Sequence, residues 1–145
     1  MENKYLEKSI LSTLCYFDAF DYPLTLLEVW QWFYTDPPIT QKVNLLAIKQ
    51  ALDNSEYLQA RISFKDGFYF LKNRESIVLI RLQRYTISDQ KYQIAKNGIE
   101  WLKFLPFIKL ICLCNNHGNN NIRAQSDIEL FIVTSKHRLF TARFL

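Results

Sequence analysis

Eight residues, Ser126-Asp127-Ile128-Glu129-Leu130-Phe131-Ile132-Val133, constrain this chain more than any other stretch. β-Branched and aromatic side chains fill most of them and the run ends in Thr134 and Ser135, the composition of a strand. On a strand, residues two apart share a face. Asp127 and Glu129 are therefore expected to project together, with Ile128 and Leu130 on the opposite side. Neighbouring carboxylates repel each other unless a cation lies between them. A hard divalent ion with oxygen ligands, Mg²⁺, answers that need; the plain alternative is a solvated edge that happens to carry two acids. Upstream, Phe107 to Cys114 reads as another strand, and the polar run Asn115 to Asn121 as the connection.

The order of these pieces, LPFIKLICLCNN, then NNNIRAQSDIELFIVT, then RLFTAR, resembles the nucleotidyltransferase superfamily, the fold of the DNA polymerase beta palm. Within it the chain looks like a bacterial subset in which a winged-helix-like segment precedes the transferase domain. The likeness runs from Tyr22-Pro23-Leu24-Thr25 to the C-terminus. It implies transfer of a nucleotidyl group from a nucleoside triphosphate with Mg²⁺ as cofactor. By this resemblance Asp127 and Glu129 are the catalytic carboxylates and metal ligands, and Asn115, Asn116, Arg123 and Ser126 are the substrate-binding residues.

Two departures from the family pattern stand out. Asn115 and Asn116 occupy the place of a Gly-Ser pair; Asn116 keeps an amide donor, but the closest backbone approach to phosphate is lost. Gly118 follows too late to restore it fully. The family also uses a third carboxylate on a later strand, which these 145 residues lack. The resemblance therefore implies a truncated palm, catalytically weak or inactive, completed by missing sequence or a partner chain. The acceptor is not specified by any motif.

The first part of the chain has its own organisation. Residues 3–19 read as a helix with Leu6, Ile10, Leu14 and Phe17 on one face. Asp21-Tyr22-Pro23 breaks it, and Thr25 with Glu28 forms a capping box for a second helix carrying Val29, Trp30 and Phe33. Asp36-Pro37-Pro38 ends that helix. Thr40 is the expected cap of a third, with Leu45, Ile48 and Leu52 inward. Leu58, Ala60, Ile62 and Phe64 alternate with polar residues, Asp66-Gly67 signals a tight turn, and Phe68 to Leu71 returns. Three helices and a hairpin is the order of a winged helix-turn-helix. Its third helix would offer Gln41, Lys42, Asn44, Lys49 and Gln50 to DNA and its wing Arg61 and Lys65. Asp53, Glu56 and Asp66 dilute that basic face, so DNA binding is the weaker reading and a packing or partner-recognition role the stronger.

From Arg74 to Leu105 the pattern is helical, one element or two, with Asn73 a candidate cap and Ser88-Asp89 a candidate restart. Val78, Leu82 and Tyr85, then Ile94, Gly98, Trp101 and Leu105, are the expected apolar face; Arg81, Arg84, Lys91 and Lys96 are the expected solvated side. The fold class expected is thus α+β: a winged-helix-like module over 1–72, a helical connector over 73–105, and a partial palm over 106–145. A winged-helix DNA-binding regulator and a non-catalytic interaction module are the competing functions.

Composition agrees with a packed protein. Apolar residues make up 49% and aromatics 15%, too many for a disordered chain. The net charge of +4 permits an anionic partner without demanding one. No apolar run reaches the roughly 18 residues a membrane span needs. Met1-Glu2-Asn3-Lys4 mixes charges and leads into an amphipathic pattern, so no leader is expected. Cys15, Cys112 and Cys114, an odd number in apolar surroundings, are expected to be buried thiols in a reducing cytoplasm. His117 and His137 have no neighbours that would make a zinc site.

Overall fold

Thr25 and Glu28 cap a helix as their spacing requires. The Glu28 amide donates to Thr25 Oγ1 at 3.3 Å, and the Thr25 amide donates to Glu28 Oε2 at 2.8 Å. This box starts α2 (Leu26–Gln31). It follows α1 (Glu2–Asp18), which ends where Asp21 takes a left-handed φ of 52°. The computed structural model describes residues 2–35, 43–114 and 120–143. Among these residues the protein is α+β, with six helices and two antiparallel sheets of two strands each. The chain divides into two units, Met1–Arg81 and Leu82–Leu145.

In the first unit α3 (Leu45–Asn54) begins at Asn44, whose side chain accepts from the Leu46 amide at 3.0 Å. Asn44 is thus the cap; Thr40 lies outside the described residues, as do Asp36-Pro37-Pro38, Gln41 and Lys42. The stretch expected to open the hairpin instead forms a short helix, α4 (Glu56–Gln59), because the Ser55 hydroxyl caps it by accepting from the Leu58 amide. The strand β1 is therefore confined to Ile62–Lys65, and it pairs with β2 (Phe68–Leu71). Asp66 and Gly67 both have positive φ, 52° and 86°, the twisted two-residue turn that matches the strands on either side. A single bridge joins Leu24 to Tyr69 beside this hairpin.

The core gathers Ile10 and Leu14 of α1, Val29 of α2, Ile48 and Leu52 of α3, Leu58, Ile62 and Tyr69. Each fully buried aliphatic side chain contributes about 1.5–3 kcal/mol. Phe17, Leu6 and Trp30 pack around the cluster, as the helical spacing predicts; Phe33 also packs there, but from the chain after α2, which ends at Gln31, well before Asp36-Pro37-Pro38. Phe64 departs from expectation: it is exposed on β1 and rests on Tyr69, ring centroids 4.7 Å apart.

Residues Ser76–Leu102 form one continuous helix, α5. Ser88 and Asp89 lie within it, and Asn73, at φ 66°, stands in the preceding turn. The faces of α5 differ from expectation. Arg81 and Arg84 are buried, at 2% and 7% exposure, while Leu82, Ile94 and Trp101 are exposed. The buried residues of α5 are Ile77, Val78, Arg81, Arg84, Ser88 and Ala95, with Arg81, Ser88 and Ala95 recurring every seven; Val78 faces inward as expected. Burial of arginine requires partners, and both find them. Lys96 is exposed, as expected.

The second unit adds β3 (Ile108–Leu113) and β4 (Leu130–Thr134), antiparallel, with Ile111 opposite Ile132 and Leu113 opposite Leu130. A short helix, α6 (Leu139–Arg143), follows. All three cysteines are free; Cys112 and Cys114 are half-buried, but Cys15 is exposed, since it sits about 100° round α1 from Leu14. No helix among the described residues is long and apolar enough to cross a membrane.

Candidate functional site

The strand expected from Ser126 begins only at Leu130, so Asp127 and Glu129 lie immediately before β4 rather than within it. The Cys114 amide donates to the Glu129 carbonyl at 2.9 Å, just beyond the last paired residues of the ladder, Leu113 and Leu130. Exposure alternates along residues 127–134: Asp127, Glu129, Phe131 and Val133 are exposed, while Ile128, Leu130, Ile132 and Thr134 are half-buried. This is the two-residue period of a strand, and it puts both acids on the open side. Neither is sealed under apolar packing.

The remaining expected site residues divide. Asn115 and Asn116 lie outside the described residues, together with His117 and Gly118. Arg123 and Ser126 are exposed and close a turn, the Ser126 amide donating to the Arg123 carbonyl at 3.1 Å. His137 is exposed, at φ 65° in the turn before α6.

Residues not expected at the site hold this turn. Arg84 of α5 donates to Asn121 Oδ1 at 2.6 Å. Lys91, two helical turns on, donates to the carbonyls of Arg123, at 3.0 Å, and Ser126. Ile122 is buried between these anchor points in sequence, at 1% exposure. The signal for Arg84 and Lys91 was their shared seven-residue spacing on α5; their charge concealed it, because cations on a helix are usually solvated.

Carboxylate oxygens are donors of the kind Mg²⁺ takes. The ion binds through one or two carboxylates, keeps several waters, and takes further oxygens from substrate phosphates. Among the described residues no group of three or more His, Cys, Asp or Glu stands together, so the pair would hold the ion with water and phosphate oxygens completing the shell. The chain matches no protein-family model, no curated protein and no solved structure.

Proposed function

We propose that the protein is nucleotidyltransferase-like, with Asp127 and Glu129 as the carboxylates that hold Mg²⁺ against a nucleoside triphosphate. The observation that supports this reading is that Asp127 and Glu129 are both exposed, with Ile128 half-buried between them, in the chain just before β4, a strand whose antiparallel neighbour β3 precedes them. The bound ion supplies charge neutralisation for the polyphosphate. Asp127 and Glu129 set its position, and Arg123 offers a cation at the mouth of the turn. In the transfer the acceptor oxygen bonds the α-phosphorus, the bond to the bridging oxygen breaks, and pyrophosphate leaves. A transfer assay with Mg²⁺ and a panel of nucleoside triphosphates tests this. Slow turnover, lost in Asp127→Ala, supports the reading; turnover unchanged in that variant overturns it.

For the first unit we propose a winged-helix-like module that acts through packing or a protein partner. The order of helices and hairpin and the Leu24–Tyr69 bridge support the fold. Two of the cations expected to meet DNA are engaged locally; Lys65 is exposed and Lys42 lies outside the described residues. Lys49 is 2.6 Å from Asp53, and Arg61 stacks 4.0 Å over the Tyr57 ring while donating to the Tyr57 carbonyl.

A further inference from the structure

We propose that Lys91 is a positioning residue for the acidic pair, clamping from α5 the turn that delivers Asp127. This rests on the metal-binding reading of Asp127 and Glu129. A lysine ammonium is a compact charge with three donors, suited to two converging carbonyls. Here it meets the carbonyls of Arg123 and Ser126, and Ser126 directly precedes Asp127. The same Arg123 carbonyl accepts the Ser126 amide, so one ammonium closes both ends of the turn.

The clamp is part of a larger anchorage. Arg84 holds the Asn121 side chain at the loop's start, and Ile122 is buried next to it in sequence. Between Arg84 and Lys91 on α5 lies the buried Ser88, whose hydroxyl has no hydrogen-bond partner among the described residues. Downstream, the Cys114 amide fixes the Glu129 carbonyl. The chain from 127 to 129 is therefore held on both sides by groups that are not themselves metal ligands. Two carboxylates can share an ion only when their backbone is already in place, and groups that orient ligands from behind are worth about 10–100-fold in metal affinity.

The test uses the whole chain, with Mn²⁺ as the probe, followed by the loss of the free-ion electron paramagnetic resonance signal. Amide exchange over residues 120–129 is measured on the same samples. In Lys91→Met, Mn²⁺ affinity falls about tenfold, exchange across the turn speeds up, and Lys91→Arg, which retains donors and charge, recovers most of the affinity. Should the methionine variant fail to fold, Lys91→Gln, with a shorter stem and no charge, gives the same comparison. Faster exchange with unchanged Mn²⁺ affinity overturns the proposal, because Lys91 then holds the loop without serving the acids. Unchanged exchange and unchanged affinity also overturn it. If the wild-type chain takes up no Mn²⁺, the metal-binding reading itself fails, and the positioning role falls with it.

Discussion

The guanidinium of Arg81 lies 2.5 Å from the carboxylate of Glu28, across 53 residues of sequence. Arg81 also donates to the Pro23 carbonyl and stacks 4.0 Å over the Tyr22 ring and 4.8 Å over Phe68. Glu28 meanwhile serves the capping box of α2 and accepts from the Tyr22 hydroxyl at 3.2 Å. One buried cation thus ties the start of α5 to the helix cap and to the hairpin of the first unit.

Removing either partner of this pair leaves a buried charge uncompensated, which costs about 3–5 kcal/mol. Arg81→Ala is expected to lower the melting temperature of the first unit by more than about 10 °C, at about 4–8 °C per kcal/mol for a unit of this size. The double variant Arg81→Leu with Glu28→Leu is expected to lose less than the sum of the two single changes. A thermal double-mutant cycle measures the coupling.

Acid should weaken the same unit through Glu28. Burial pushes its carboxyl up, but the Arg81 hydrogen bond, the Thr25 amide and the charge of Arg81 outweigh that and hold its pKa below the ordinary carboxylate value. A carboxyl depressed in the folded state stabilises it above the unfolded pKa of about 4.3, and the stabilisation is lost as pH falls through the lower native value. Denaturant titrations between neutral pH and acid should show this loss in the wild type and a flatter acid limb in Glu28→Gln.

At the hairpin, Gly67 has φ 86°, and a Cβ added there would meet nothing within 4 Å. Gly67→Ala is therefore a test of backbone strain alone, with no steric clash. It is expected to cost about 1–2 kcal/mol, the penalty of a left-handed conformation for an L side chain. Chemical denaturation of the two proteins reads it directly.

Lys49 pairs with Asp53 and Arg61 stacks on Tyr57, so two of the cations expected to face DNA are partly neutralised or occupied. Duplex DNA should show no salt-sensitive retention by this chain between about 50 and 200 mM salt. A steep decline in affinity over that range, lost on changing Lys65 and Arg61 to Gln, would restore the DNA-binding reading.

Features decided by neighbours in sequence were legible beforehand. The Thr25–Glu28 box, the Asp66-Gly67 turn and the alternation around Asp127 and Glu129 each involve residues within a few positions, where spacing and chemistry leave few options. The α4–β1 boundary was not legible, because the Ser55 hydroxyl caps a helical turn over residues that also alternate in the manner of a strand. The inward face of α5 was misread for a different reason. Arg81 and Arg84 look like solvent-facing cations until Glu28 and Asn121, 53 and 37 residues distant, are brought beside them by the fold. Lys91 was hidden in the same way, since its acceptors are backbone carbonyls that carry no sequence signature.

Calorimetric titration of Mg²⁺·ATP into the wild-type chain, Asp127→Asn and Glu129→Gln is the most direct test of the acidic pair. The wild type should bind, binding should vanish when Mg²⁺ is chelated, and each substitution should weaken it about tenfold or more while leaving the melting temperature unchanged, as expected for exposed side chains. Binding of ATP that is equally strong without Mg²⁺, or unaffected by both substitutions, would contradict the assignment.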